Sequence, residues 1–255
     1  MSNGALSWIN HIATATLTTN DQALPGGAVT NLAVRRLMKA WRTTGSTAYF
    51  RADFGSVKPV QVLGLFGATY NAAATIRWRL DADTPGGSDE LNVTAVADMA
   101  EGYGQTVRWL PTPVNARYLE IQITSSAPFA VGQAWTGPAW VPGRNFSWGA
   151  ARQWVDTSRV TGDSEENVSG VVDIEQGVML RERNFGFNWL SEADSWIADE
   201  MIRQTGRFGQ ILFLPNPTGT YLQREALLGR QTVIDAITDP AFDIHATAFR
   251  LREDK

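Results

Sequence analysis

Between Trp41 and Gly67 the residue pattern leaves little room for anything but strand. Tyr49, Arg51 and Asp53 alternate with Phe50, Ala52 and Phe54. That two-residue period lets a strand turn one face to a core and the other to water. Val60, Val62, Leu63 and Leu65 then form a largely apolar run, as in a strand covered on both sides. Gly55, Ser56, Lys58 and Pro59 lie between the two patterns and read as a turn joining two strands.

The same grammar continues on both sides. Ala13 to Thr19 alternates Thr with apolar residues and predicts an edge strand, whereas Leu32, Val34, Leu37 and Met38 fit neither period. Ile76, Trp78 and Leu80 alternate with Arg77 and Arg79. Asp81 to Glu90 is a turn-rich loop. Leu119, Ile121 and Ile123 alternate with Tyr118, Glu120 and Gln122, and Phe129 to Trp135 supplies a further strand. A Pro/Gly/aromatic segment over 137–143 marks a domain boundary.

Beyond it, Trp148 to Thr157 and Val168 to Phe187 read as β-rich. Val171, Val172 and Ile174, then Val178 and Leu180, flank Glu175–Gly177 as in a hairpin or bulge, and Phe185, Phe187 and Trp189 share one strand face. Ser191 with Asp194 three residues on predicts a helix start. Ala193, Trp196, Ile197 and Met201 have helical spacing, and Gly206 sits at the C-cap, giving a helix over 191–205. Gln210–Leu214 is a strand stopped by Pro215. In the last strand Phe242, Ile244, Ala246 and Ala248, joined by Phe249 and Leu251, suggest one buried face with a slight irregularity.

The Trp41-Arg42-Thr43 opening, the strand ending Asp53-Phe54-Gly55 and the strand from Ala116 to Ile123 resemble the discoidin or galactose-binding-like jelly roll, in the variant found in tail proteins of bacteriophages; the match covers 12–136. The second half, a β framework with one helix and a final strand ending Phe249 to Glu253, is similar to tail-tube-type domains. The expected fold is therefore mainly β. A galactose-binding-like jelly roll over 1–143 precedes a tail-tube-like β-sandwich or barrel over 144–255.

Composition narrows the function. The chain has 255 residues with 44% hydrophobic and 19% charged, enough for two packed domains. Its net charge of −4 argues against a protein that binds nucleic acid non-specifically. With no cysteine there is no disulfide, thiolate nucleophile or Cys-ligated zinc. No apolar run approaches the ~18–20 residues that span a bilayer, and the start lacks a signal-peptide pattern. Ten tryptophans suit a core, an interface or a sugar platform.

Candidate chemistry is sparse. Asp81 and Asp83 have the spacing of cation ligands or of a plain turn. Gly162-Asp163-Ser164 is like the start of an esterase motif, but the only histidines, His11 and His245, sit in no partner motif. No phosphate-cradling glycine motif occurs. The expectation is a non-enzymatic protein without a cofactor or catalytic or metal-binding residues. Trp41, Arg42, Tyr70 and Asn71 are the candidates for carbohydrate contact. The alternative for Trp41 is a core anchor with Arg42 ion-paired at its edge. Arg77, Arg79, Asp163, Glu165, Glu166 and Trp196 are the candidates for an oligomer interface.

The resemblance implies a structural component of a siphophage-like tail tip or baseplate, similar to a distal tail protein. It implies a homo-oligomeric ring, often hexameric, with tail-tube, tape-measure and baseplate hub proteins as partners. Such a protein is made in the host bacterial cytoplasm and resides in the virion. The alternative is a carbohydrate-binding adhesin that attaches the virion to a host surface glycan.

Overall fold

Antiparallel pairing of long bent strands builds the first half. A computed structural model describes residues 3–22, 24–147, 149–160 and 174–254. Along it run β1 (Ala5–Ser7), β2 (Thr16–Thr19), β3 (Trp41–Arg42), β4 (Thr47–Phe66), β5 (Thr75–Asp81), β6 (Leu91–Val96), β7 (Gln105–Thr124), β8 (Ala130–Val131) and β9 (Gln133–Gly137). The second half adds β10 (Ala151–Asp156), β11 (Arg159–Val160), β12 (Ile174–Glu175), β13 (Met179–Leu190), α1 (Glu192–Thr205), β14 (Gln210–Leu214), the single-turn α2 (Leu222–Glu225), β15 (Leu227–Ile234), β16 (Thr238–Ala241) and β17 (Ile244–Glu253). The fold is mainly β with antiparallel sheets, as expected. The segment 31–40 contributes only the end of a 3-10 turn at Val29–Ala33.

The expected turn at 55–59 is not there. β4 is one strand that stays paired with β7 along its length, and its register shifts between Asp53 and Lys58. Gly55 takes φ +77 in this bulge, a backbone region open to glycine. Asp53 fixes it, accepting from Gly55 N at 2.8 Å and from Arg117 Nε at 2.9 Å. A second shift, between Val60 and Val62, places Pro111 and Pro113 opposite a gap in the ladder, a position proline tolerates. Beyond these bulges β4 exchanges β2 for β9 as its outer neighbour, so the sheet curls around one core. That core holds Trp41, Phe50, Trp78, Leu119 and Ile121.

The second sheet has the order β1-β14-β15-β17-β13-β10, with β16 on β17. It is covered on both faces. Ile211 and Phe213 join a cluster with Phe185, Phe187, Phe249 and Met201 of α1. Leu212 and Leu214 join Val62, Phe66, Val107 and Trp135 of the first half. The double cover expected of β4 is therefore present, with Leu63 in the first core and Val62 in the cluster between the halves. Residue 143, where a division is expected, lies between β9 and β10, and β1 lies in the second sheet, paired Ala5 to Leu214.

Local expectations are met in part. Of the two readings of Glu175–Gly177, the hairpin is excluded and the bulge fits: β11 pairs β12, β10 pairs β13, and Thr157 bonds Val178 across the interruption. A register shift between Phe187 and Leu190 turns Trp189 outward while Phe185 and Phe187 stay buried. In β17 Phe249 and Leu251 are buried as expected, but Thr247 and Glu253 share their face, while Ile244 and Ala246 are half-buried and Ala248 is exposed. Phe242 lies in the tight β16–β17 connection, where Asp243 has φ +58, and is 99% exposed. The helix begins as expected, with Ser191 Oγ accepting from Asp194 N at 3.2 Å.

Candidate functional site

The residues expected to contact carbohydrate do not form a platform. Trp41 is buried between Phe50 and Phe129, with ring centroids 5.7 and 5.8 Å away, because the β3–β8 pair pins it beneath the curled sheet. Tyr70 is buried beside Phe129. Its hydroxyl donates to Thr106 Oγ1 at 3.1 Å, and burial pushes its pKa up. Asn71 is exposed and donates to Ser126 Oγ at 2.9 Å. Arg42 is exposed, and no ion pair of it occurs among the described residues. Trp41 and Tyr70 are thus core anchors.

The candidate interface residues are spread out. Arg77 donates to Asn92 Oδ1 at 3.0 Å. Arg79 and Arg51 hold opposite oxygens of the buried Glu120 at 2.7 and 2.5 Å, since register sets the three side by side on β5, β7 and β4. Arg79 is therefore committed within the chain. Trp196 is 65% exposed on α1. Asp163, Glu165 and Glu166 lie outside the described residues.

Asp81 is a loop anchor. It accepts from the backbone of Thr84 at 2.7 Å and Asp83 at 2.8 Å, and these bonds hold its pKa below the usual carboxylate range. No cluster of His, Cys, Asp and Glu that could hold a metal occurs among the described residues. His245 Nδ1 lies 2.5 Å from Asp239 Oδ1, and both line a cavity with Ser195. The Ser195 hydroxyl donates to the Glu192 carbonyl at 2.7 Å, so this triad of residue types has no nucleophile–base link.

A different site emerges where β10, β13 and α2 meet the Tyr103 turn of the first half. It is a cleft of about 370 Å³. Register brings Arg152 opposite Arg183 and Trp154 opposite Arg181. Strand alternation places Arg181 and Arg183 in line with the buried Phe185 and Phe187. Tyr103 meets Trp154 edge-on at 6.4 Å, and Tyr221 forms part of the wall. Trp154 and Tyr221 keep about half or more of their surface exposed, 51% and 64%.

The polar groups of the cleft are ordered by ion pairs. Arg152 Nη2 reaches Glu225 at 2.6 Å. Arg181 is buried and meets Glu253 at 2.6 Å, donates to the carbonyls of Arg224 and Ala226 at 2.9 Å, and lies 4.8 Å from the Tyr103 ring. Glu182 pairs with Arg252 at 3.1 Å. The result is a concave surface with three aromatic faces and fixed charged groups. It can stack a ring and direct hydrogen bonds to hydroxyls.

No family model and no curated protein matches the chain. Among solved structures, the lectin domain of Lectinolysin complexed with Lewis B antigen is similar at 15% identity, covering 50% of this chain and 95% of that one, with a TM-score of 0.40. Chitosan-binding module 1 from the chitosanase/glucanase of Paenibacillus sp. IK-5 is similar at 16% identity, covering 51% and 99%, with a TM-score of 0.42. A Streptococcus pneumoniae fucose binding module is similar at 12% identity, covering 51% and 94%, with a TM-score of 0.39.

None of the cleft residues is among the sequence candidates. One local signal marks them: in Arg181 to Phe187, arginines occupy the parity that phenylalanines fill two residues later. Charge in line with a core face points to a site at the sheet's end.

Proposed function

We propose that this protein is a non-catalytic glycan-binding protein, the second of the two functions expected from its sequence, and that the cleft at Tyr103, Trp154 and Tyr221 holds the sugar. The observation that carries this reading is the meeting of three partly exposed aromatic rings with ordered Arg and Glu side chains in one concavity. Aromatic faces take the C–H side of a pyranose, and guanidinium and carboxylate groups take its hydroxyls. In this reading the protein has no catalytic step and attaches a virion to its host.

A second reading, the tail-tip ring with tail-tube, tape-measure and hub partners, draws support from the large exposed apolar residues Trp189, Trp196, Phe208 and Phe242. Burial of such groups between copies is a common basis of assembly. One experiment addresses both. Calorimetric titration of the full chain with neutral and acidic oligosaccharides is expected to give saturable binding that Trp154→Ala weakens roughly tenfold. Absence of binding, together with ring-shaped particles by electron microscopy, would favour the ring.

A further inference from the structure

Arg183 is the arginine of the cleft for which no direct ion pair occurs among the described residues. It is only 8% exposed, and its Nε is buried with no hydrogen-bond partner. Its neighbours are already engaged. Glu225 holds Arg152, Glu253 holds Arg181, and Glu182 holds Arg252. Burial, with the nearby charges of Arg152 and Arg181, pushes its pKa down, and the more distant Glu225 and Tyr103 oppose this only in part. A buried guanidinium without a hydrogen-bonded carboxylate is costly. Its planar donor edge fits an oxyanion.

We infer that the cleft is selective for acidic saccharides, with Arg183 pairing to a sugar-borne oxyanion while Trp154 and Tyr221 contact the ring. This rests on the glycan-binding reading and adds the class of sugar. The shared chemistry is a carboxylate or a sulfate on the sugar, and the two are separated by the ligands used.

The test is calorimetry on the full chain with tetragalacturonate, its methyl ester and a sulfated galactose tetrasaccharide, at low and physiological salt. Tetragalacturonate is expected to bind roughly tenfold or more tightly than the ester. Arg183→Gln removes that preference while ester binding persists, and Arg183→Lys restores part of it. Tight binding of the sulfated sugar as well identifies the oxyanion, not the carboxylate, as what is read. Equal binding of acid and ester, both lost in Trp154→Ala, overturns the inference and leaves the glycan reading intact. Binding of none of the three overturns both. An acid preference that survives in a folded Arg183→Gln assigns the selectivity elsewhere and also overturns the inference. Should Arg183→Gln fail to fold, the acid-to-ester ratio of the wild type and its decline with salt decide the matter.

Discussion

His11 is buried beside Phe54, its Nε2 3.0 Å from the Pro59 carbonyl. Burial is the main cause that lowers its pKa from the ordinary 6.5; Lys58 adds to this and the Pro59 bond opposes it. The folded state therefore binds fewer protons than the unfolded chain between that lowered value and about 6.5, so its contribution to stability is complete above 6.5 and is lost as pH falls through the window. Thermal melts by circular dichroism are expected to show Tm declining there, and His11→Gln should flatten the decline. Asp53 and Asp81, whose pKa values are lowered from 3.8, act in a separate, more acidic window. At this scale the sequence identifies residue types but not their surroundings. Trp41 and Tyr70 suit a sugar platform by chemistry, yet long-range pairing of β3 with β8 buries Trp41. Arg183 looks like any strand arginine until Glu182, Glu225 and Glu253 are each seen to be taken.

Strand alternation was the most legible feature at the scale of elements. Ile76, Trp78 and Leu80 are buried as their period requires, and Ser191 caps α1 as its spacing requires. Both signals are local, so a sequence carries them in full. What failed was punctuation. Gly55 and Pro59 mark either a turn or a bulge, and only the partner strand decides between them. β7 continues alongside β4, so a bulge results. Likewise, a bulge after Phe187 reverses which side of the strand Trp189 occupies, and no residue type announces it. The β4 bulge can be tested directly. Open space surrounds a Cβ at Gly55, so the cost of Gly55→Ala comes from its φ of +77 alone. A loss of about 1–2 kcal/mol in urea unfolding is expected. A neutral result would mean the bulge relaxes freely.

Across the whole molecule, the halves are joined by polar contacts as well as by apolar packing. Gln223 exchanges two hydrogen bonds with the backbone of Val107, at 2.7 and 2.8 Å, and Gln133 pairs with Gln210. Arg181 joins Glu253, the end of α2 and Gln105 of β7. Arg181→Leu is expected to cost about 3–5 kcal/mol in urea unfolding, because it strands a buried carboxylate. Arg203→Ala on the exposed face of α1 should leave the midpoint unchanged. None of this joint was legible in sequence, since each contact spans elements far apart in the chain.

The seat of β1 also sets an order of events. Synthesis runs from amino to carboxyl end, so Ala5–Ser7 leaves the ribosome some two hundred residues before its partner Leu212–Leu214 exists. The other edge of β1 has a partner sooner, since Leu6 exchanges two backbone hydrogen bonds with Trp140 and Ala5 packs with Val62 and Trp135. The pairing of Ala5 with Leu214 completes the strand's remaining edge and closes a long loop of chain.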